Sequence, residues 1–312
     1  MGQKVNPIIF RKNNSKEFWK SNFYGENNEE SSYYLFQSLA IRKYLNTLFE
    51  RYGLILNSCT IKRSSSVIAL DITYYVGINV KIKNLNSYSK ILKIKSLIRG
   101  RFLKKQKRVP YDSLKEILKN KVTTKFDNNF HGLSNINLNK GSFKKKIIKS
   151  LLSYTETSKV ILNVQSIQNN LIVQLKYQSN YKKVIQRLSI YSREPFFKEA
   201  IEIFILLSKN SGTAKLLARF IALQMQKMKR HNSFLTFLKR TVFVFNVLEN
   251  CGFQGLKILI SGRFNNAPRG SSRLIQYGRI PLQTVDVKID YYQTEAFTPS
   301  GVFGVKVWIC PK

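Results

Sequence analysis

The stretch from residue 255 to residue 312 constrains the fold more than any other, because apolar and polar residues alternate along three parts of it. These parts are residues 256–260, 285–291 and 302–309. A period of two predicts β-strands with one face on a core and the other face free, and glycines and prolines mark turns between them. The free faces carry Lys257, Lys288 and Lys306, and the connections carry Arg263, Arg269, Arg273 and Arg279. The stretch therefore predicts a small sheet with a cationic exterior.

The charge of the chain predicts a polyanionic partner. Its 312 residues include 53 Lys and Arg against 17 Asp and Glu, which gives a formal net charge of +36. Repulsion on that scale opposes a compact fold unless a polyanion neutralises it, and nucleic acid is the first candidate. A membrane surface is the competing partner, but no apolar run approaches the ~18 residues that a membrane-spanning helix needs.

Cysteine and histidine usage argues against a metal site. Cys59, Cys251 and Cys310 lie far apart, no Cys-x-x-Cys pair occurs, and the two histidines are His131 and His231. The usual local zinc spacings are therefore missing. Three cysteines without a secretory leader predict free thiols in a reducing compartment. We expect neither a metal nor another cofactor.

The N-terminus and the residue usage bear on the compartment. The first six residues are polar, and no apolar signal segment follows them. The chain is also crowded with Lys, Asn, Ile, Phe and Tyr, whose codons are rich in A and T. We infer synthesis inside an organelle from its own genome. A mitochondrion is the first choice, and a plastid or a low-GC bacterium is the alternative.

Short motifs at both ends of the chain carry a family resemblance. Near the C-terminus they are ISGR at 260–263, GRIPL at 278–282, KIDY at 288–291, EA at 295–296 and GVFGVKVWI at 301–309. Together they resemble the C-terminal signature of ribosomal protein S-three of the small subunit, of the bacterial and organellar type. The opening sequence MGQKVNP at 1–7 is similar to the start of the same family. Agreement in order at both ends makes coincidence improbable.

The resemblance implies an α+β fold in four parts. Residues 1–30 are a basic N-terminal extension. Residues 31–167 are similar to a type-two KH domain, with a basic insertion at about residues 77–142. Residues 168–212 are a lineage-specific insertion with enough apolar content to fold. Residues 213–312 are the C-terminal domain of the family, in which two helices pack on a small mixed or antiparallel sheet.

Local patterns place the elements of these domains. Ser31 or Ser32 caps a helix that runs to about Tyr52, and Gly53 ends it. Its apolar stripe is Leu35, Leu39, Ile41, Leu45, Leu48 and Phe49. Further strands are expected at 54–62, 67–76 and 160–164. Further helices are expected at 142–152, 213–225 and 234–249.

The KH resemblance lacks the loop that a KH domain uses to bind nucleic acid. That loop is Gly-x-x-Gly between two helices, where backbone amides approach the nucleic-acid backbone. The glycines in this region are Gly77, Gly100, Gly132 and Gly141, and none are spaced by three. Residues 90–108 instead contain nine Lys and Arg and no acidic residue. A solvated helix face is the ordinary explanation of such a run, but the cationic chain favours contact with RNA phosphate.

The expected RNA contacts are therefore spread over the chain. In the N-terminal half they are Lys4, Arg11, Lys62, Arg63, Lys90, Lys93, Lys95, Arg99, Arg101, Lys104, Lys105, Lys107 and Arg108. In the C-terminal domain they are Arg263, Arg269, Arg273 and Arg279.

The resemblance also implies a contact with mRNA at the entrance of the ribosomal channel. In the family a helix carries a Phe, two Arg, two apolar residues and then Lys-Arg, and these cations line the channel. Here Lys239 and Arg240 match, but Leu235 and Thr236 stand in place of the Arg pair. We expect a diminished site, partly compensated by Lys227, Lys229 and Arg230. The alternative is an apolar helix face, formed by Phe234, Leu235, Phe237 and Leu238, that packs on the sheet or on a neighbour.

No catalytic constellation is found, so an enzyme is not expected. Asp286 and Asp290 would share one face of a strand, where pairing with Lys288 or Arg279 is a better explanation than a metal site. An intron maturase is the alternative from another class, but it would need a paired-aspartate or metal-binding nuclease motif.

The function expected from the resemblance is that of a structural protein in the head of the mitochondrial small ribosomal subunit. Its partners would be small-subunit ribosomal RNA, mRNA and the neighbouring proteins S-ten and S-fourteen. Neither a membrane nor a second copy of the chain is expected as a partner.

Overall fold

A computed structural model describes residues 5–11, 19–64, 66–77, 141–155, 157–168, 179–247 and 252–312. Two units are visible in it, which we call the N-terminal unit (residues 19–77 and 141–168) and the C-terminal unit (residues 179–312). The fold class is α+β, as expected. The basic run at 90–108 lies outside the described residues, together with Lys4, His131 and Cys251.

The N-terminal unit is a four-stranded sheet with two helices on one face. After a short helix α1 (Pro7–Phe10), its elements are β1 (Ser21–Phe23), α2 (Asn28–Arg51), β2 (Leu54–Arg63), β3 (Val67–Val76), α3 (Gly141–Thr155) and β4 (Lys159–Ser166). The strand order is β1-β2-β3-β4. β2 and β3 are antiparallel, whereas the two outer pairs are parallel. This order of elements is the one expected from the resemblance to a KH domain, and the strand predictions at 54–62, 67–76 and 160–164 are confirmed.

Helix α2 differs from its prediction at the start and in the face it buries. Its N-cap is Asn27, not Ser31 or Ser32, and Gly53 follows its end with a φ of 71° that favours glycine. Ile41, Leu45 and Phe49 are buried against the sheet as predicted, but Leu35 and Leu39 are exposed. Gln37 and Ser38 in the first turns are buried, and Tyr34 contacts Arg63 of β2, so Leu35 and Leu39 are exposed because they lie on a different side of the helix.

The C-terminal unit is an antiparallel sheet covered on one face by helices. Its elements are α4 (Ser179–Arg187), a 3-10 turn (Ser189–Tyr191), α5 (Phe197–Ser208), α6 (Ala214–Lys227), α7 (Asn232–Val247), β5 (Phe253–Gly262), a 3-10 turn (Phe264–Asn266), β6 (Ser271–Gly278), β7 (Asp290–Thr298) and β8 (Gly301–Pro311). The strand order is β6-β5-β8-β7. Alternate residues of β5 and β8 are buried, which confirms two of the three strands predicted from the period of two.

The third predicted strand, at 285–291, is wrong. β7 begins only at Asp290, and the backbone before it is bound by a single side chain, the guanidinium of Arg11. Its Nη2 donates to the carbonyls of Pro281, Leu282 and Thr284 at 2.9, 2.8 and 2.7 Å. Its Nε donates to the Val287 carbonyl at 2.8 Å. Arg11 therefore takes the Val287 carbonyl and holds the backbone that leads to it, and the pairing with β8 starts only at Asp290.

The same contacts change the role of Arg11. The residue is 4% exposed, its Nη1 donates to the Pro7 carbonyl at 3.1 Å, and burial lowers its pKa. All three nitrogens of the guanidinium donate to carbonyls inside the protein, and the buried group presents almost no surface to an RNA phosphate. We therefore withdraw Arg11 from the expected RNA contacts and assign it to the fold.

The described part of residues 168–212 belongs to the core of the C-terminal unit. Phe196, Ala200, Ile203 and Phe204 are fully buried together with residues of α6, α7 and the sheet. The rings of Phe196 and Phe234 pack edge to face at 5.1 Å. The described residues 179–212 are folded, and residues 169–178 lie outside the described part of the chain. The boundary between this segment and the next domain at residue 212 stays a prediction.

The two units share part of this core. Ile55 and Tyr75 of the N-terminal sheet are buried among the apolar residues of the C-terminal unit. The Tyr75 hydroxyl donates to Oε2 of Glu202 at 3.0 Å, and Thr213, the N-cap of α6, donates to Oδ1 of Asn57 at 2.6 Å. Packing and polar contacts therefore fix one unit against the other.

Candidate nucleic-acid interface

One end of the C-terminal unit is built from two connections that are distant in sequence. These are the 228–231 turn between α6 and α7 and the loop 263–270 between β5 and β6. The backbone amide of His231 donates to Oδ1 of Asn265 at 2.9 Å, and the amide of Asn265 donates back to Nδ1 of His231 at 3.3 Å. This reciprocal pair ties the start of α7 to the end of β5.

His231 is a structural residue at this junction. It is 2% exposed, and its ring lies 5.0 Å from that of Phe303 and 6.2 Å from that of Phe264. Burial lowers its pKa, which favours the neutral ring and leaves Nδ1 free to accept a hydrogen bond. The histidine therefore positions the loop and does not supply charge to it.

Six exposed cations surround the His231–Asn265 pair. We call them the basic end: Lys227, Lys229, Arg230, Arg263, Arg269 and Arg273. Arg263 is braced by a bond of 2.9 Å from its Nε to the Ala267 carbonyl, and Arg273 lies opposite Ile260 at the start of β6. The structure thus brings together cations that were expected at ribosomal RNA and cations that were expected at mRNA.

Few carboxylates lie near the basic end, so its positive charge is largely unbalanced. From residue 213 onward, the described carboxylates are Asp286, Asp290 and Glu295. The first two lie at the opposite end of the sheet, where β7 begins. Glu295 is level with Ser261 through Gly304, so it lies at the same end as the basic end, but on the outer strand β7, two strands away from β5. A surface that concentrates one sign of charge attracts a polyanion and raises its rate of association.

Helix α7 extends this surface along its exposed side. Lys239 and Arg240 are exposed, and they lie seven and eight residues from the helix start, about 11 Å along the axis. Phe234, Phe237 and Leu238 are fully buried, and Leu235 is 7% exposed. These four residues therefore form an apolar face that packs on the core, which was the alternative interpretation of this helix. Of the two positions where the family resemblance implies arginine, Leu235 lies on that face and only Thr236 faces outward.

Arg279 is separated from the other arginines. It follows β6 at the far end of the sheet, beside Gly255. Glycine is required at the neighbouring Gly278, where φ is 72° and a Cβ atom would collide with the Gln254 carbonyl. The residue is exposed and stays an expected RNA contact outside the basic end.

The N-terminal unit offers a second, smaller surface at the end of β2. Lys62 and Arg63 line an open pocket with Asn22, Phe23 and Tyr24. The Arg63 guanidinium lies 4.0 Å from the centre of the Tyr34 ring and donates to Gln37, so it is largely engaged, and burial lowers its pKa. Lys62 is exposed, and Tyr24 is 82% exposed. Tyr24 offers an aromatic face beside a cation, which the sequence analysis missed because the segment has no periodicity.

The outer face of the C-terminal sheet carries cations and aromatic rings together. Lys257 Nζ lies 5.3 Å from the centre of the Trp308 ring, and the rings of Trp308 and Tyr291 lie 5.2 Å apart. Lys306 is on the same face, opposite Leu259. The cationic exterior predicted for the sheet is therefore present on β5 and β8, whereas Lys288 precedes β7.

Metal and membrane sites find no support in the described part of the chain. No three residues of types His, Cys, Asp and Glu come together there, and no described helix has the length and apolar character needed to cross a bilayer. The expectation that Asp286 and Asp290 share a strand face is wrong, because Asp286 precedes β7. Asp290 Oδ2 instead accepts a bond of 2.6 Å from the Ala214 amide at the start of α6, where a carboxylate stabilises the helix end.

Comparisons with known proteins identify relatives of this chain. A family model described as "Ribosomal protein S3, C-terminal domain" matches residues 225–309, which include α7 and the C-terminal sheet. The small ribosomal subunit protein uS3c of Emiliania huxleyi is 30% identical over 206 residues, which cover 65% of this chain and 87% of that protein. The small ribosomal subunit protein uS3 of Rickettsia akari is 28% identical over 174 residues, 55% of this chain and 75% of that protein.

Other matches are shorter. The uS3c protein of Guillardia theta is 35% identical over 105 residues, which cover 34% of this chain. The chain spans slightly less than half the length of that relative and of the one from Rhodomonas salina, at 46% and 48%.

Proposed function

Because the chain belongs to the ribosomal protein S3 family, we propose that it is a structural protein of a small ribosomal subunit and holds ribosomal RNA there. The observation that carries this proposal is the basic end, six exposed cations tied together by the His231–Asn265 pair. Lysine and arginine that neutralise phosphates supply most of the affinity of such a surface, largely without regard to sequence.

We further propose that the exposed side of α7 contributes to the entrance of the mRNA channel. Lys239 and Arg240 extend the basic end along the helix, and Lys227, Lys229 and Arg230 flank its start. Leu235 and Thr236 contribute no charge. This surface is therefore a weaker cation row than the one that the family resemblance implies.

The place of action that we propose is an organellar ribosome, with a mitochondrion as the first choice and a plastid as the alternative. Relatives whose names carry the suffix of uS3c support an organellar setting, although bacterial proteins are also similar. Proteins of the S-ten and S-fourteen types are the proposed neighbours. An intron maturase has no supporting observation, and the role is structural, not catalytic.

Sedimentation of native complexes tests the proposal directly. We expect mass spectrometry to find the chain in the fractions that contain small-subunit ribosomal RNA. Its presence only in RNA-free fractions would contradict the proposal.

Replacement of Arg263, Arg269 and Arg273 by glutamine tests the basic end. Each lost phosphate contact is expected to lower the slope of log affinity against log salt by roughly 0.7–0.9, so the triple variant is expected to lose roughly two units. The measurement is filter binding of the full chain to a transcript of small-subunit ribosomal RNA across a KCl series.

A matched triple variant controls for net charge. Lys43, Arg51 and Lys159 are exposed on the N-terminal unit, and their replacement by glutamine is expected to change the slope by less than half as much. Equal losses in the two variants would mean that the basic end is not a site, and a slope near zero in the unmodified chain would overturn RNA binding itself.

A further inference from the structure

The contact between the two units contains a row of polar side chains. On α2, Arg42, Asn46 and Glu50 are spaced by four and therefore lie on one face of the helix. On α6, Lys215 and Arg219 are spaced in the same way and face them. Lys215 Nζ donates to Oδ1 of Asn46 at 3.2 Å, and Arg219 pairs with Glu50. We call this row, together with Lys20 beside β1, the polar seam.

The polar seam contains more positive charge than its carboxylate can balance. Glu50 is engaged by Arg219. Arg42 Nη2 donates to the Ser21 hydroxyl at 2.6 Å, and its Nε is buried without a nitrogen or oxygen partner. Arg42 also contacts the Cys59 thiol, whose pKa is raised by burial, so this partner is neutral and supplies no counter-charge. Among the described residues, no carboxylate pairs with Arg42 or Lys215. Two cations in a partly buried position therefore lack a counter-charge.

Lys215 is a second cation of the polar seam whose donors are mostly unsatisfied. An ammonium group has three donors, and Asn46 accepts from one of them. Burial, followed by the positive charges of Arg219, Lys20 and Arg42, lowers the pKa of Lys215 to about 8. The group is nevertheless mostly charged at neutral pH, and a buried charge without a partner is destabilising. An anion placed here would satisfy its donors and cancel the repulsion.

We propose that the polar seam binds a phosphate group of RNA, held by Lys215, Arg42 and Lys20. The inference rests on the proposed RNA-binding function and adds a site at the junction of the two units. Arginine and lysine both suit this ligand, because the guanidinium presents paired donors and the ammonium acts as a point charge. One phosphate in this position contacts both units and secures their arrangement on the RNA.

The polar seam is distinct from the basic end in what it does to the free protein. The cations of the basic end are exposed and carry little penalty without RNA. Lys215 and Arg42 are partly buried before any ligand arrives, so their removal is expected to stabilise the free chain. A site that lowers stability without its ligand is typical of binding surfaces that are formed in advance.

The test replaces Lys215 by methionine, which keeps the length of the stem, and compares it with Lys198→Met, an exposed lysine on α5. Both full-length variants are measured by filter binding to a transcript of small-subunit ribosomal RNA across a KCl series. We expect Lys215→Met to lower the salt slope by roughly 0.7–0.9 and the affinity about fivefold at 0.1 M salt. Lys198→Met is expected to change neither. The thermal midpoint of Lys215→Met without RNA is expected to be equal to or above that of the unmodified chain.

Inorganic phosphate, exchanged for chloride at constant ionic strength, identifies the source of the anion. If phosphate raises the thermal midpoint of the unmodified chain but not that of Lys215→Met, the site is open to free phosphate as well as to RNA. The loss of RNA affinity without such a rise supports a site that takes only the phosphodiester. If Lys215→Met does not fold, Arg42→Gln is measured in its place, with the same expected fall in slope.

An unchanged slope in a folded Lys215→Met or Arg42→Gln variant overturns the inference. The polar seam would then hold water or face an acidic protein segment. The proposed function would survive that result, because the unmodified chain would keep its steep slope. A slope near zero in the unmodified chain would instead overturn the proposed function.

Discussion

Replacement of Arg11 by leucine is expected to lower the free energy of unfolding by about 3–5 kcal/mol. The guanidinium joins α1 to the connection before β7 through carbonyls of residues 281, 282, 284 and 287. Leucine fills part of the space, but it leaves these partly buried acceptors without their donors. A buried acceptor without a partner costs about 1–3 kcal/mol, and a bond from a charged donor contributes about 1.5–3 kcal/mol.

Urea denaturation of the full chain measures this effect, with Arg51→Leu as the control. Arg51 is exposed at the end of α2, so its replacement is expected to change the free energy of unfolding by less than about 0.5 kcal/mol. Arg11→Lys is expected to lie between the two, because an ammonium group cannot reach all the carbonyls at once. Equal midpoints for Arg11→Leu and the control would show that the connection before β7 holds its shape without the guanidinium.

Arg11 also shows where the period of two stops being informative. Residues 285–291 alternate as clearly as residues 302–309, yet only the latter form a strand throughout. The difference is the partner of the backbone. β8 lies between β5 and β7 and has hydrogen-bonded neighbours on both sides, whereas the backbone before Asp290 is bound by a side chain from residue 11. Alternation predicts which face of a strand is apolar, but it cannot reveal a competing donor more than 270 residues away.

Helices were predicted best where their apolar residues meet a core. In α6, the predicted inward residues Leu217, Phe220 and Ile221 are fully buried, and Thr213 caps the helix start. In α2, the buried side runs through Ser38, Ile41 and Leu45, whereas Leu35 and Leu39 lie on another side and are exposed. The spacing of apolar residues indicates a helix, but only its packing on the sheet shows which of them are buried.

The cations of the candidate site were predicted one by one, but their grouping was not. Arg263 and Arg230 are joined through Asn265 and His231, which are 34 positions apart and belong to no local motif. The polar seam is a stronger example, because Arg42, Asn46 and Glu50 have the spacing of an ordinary solvent-exposed helix face. Only the position of α6 against α2 turns part of that face into a partly buried contact.

Helix α7 separates two substitutions that appear equivalent in the sequence. Leu235 and Thr236 both stand where the family resemblance implies arginine, but Leu235 is 7% exposed and Thr236 faces outward. Leu235→Arg is expected to lower the free energy of unfolding by about 2–4 kcal/mol, because it removes a buried apolar side chain and brings a charge to the edge of the core. Thr236→Arg is expected to change it by less than about 0.5 kcal/mol.

The effect on RNA is expected to be the reverse. Thr236→Arg places a cation one turn from Lys239 and Arg240 on the exposed side of α7. It is therefore expected to steepen the salt slope of RNA binding by roughly 0.7–0.9 and to raise affinity about fivefold at 0.1 M salt. Small subunits that carry Thr236→Arg are expected to unwind a structured mRNA faster than unmodified subunits, and Thr236→Gln serves as the uncharged control.

If Thr236→Arg matches Thr236→Gln in both assays, α7 does not face RNA, and the proposed mRNA entrance is wrong. If Leu235→Arg instead folds normally and strengthens binding, position 235 faces the RNA and the apolar face of α7 is narrower than its burial indicates.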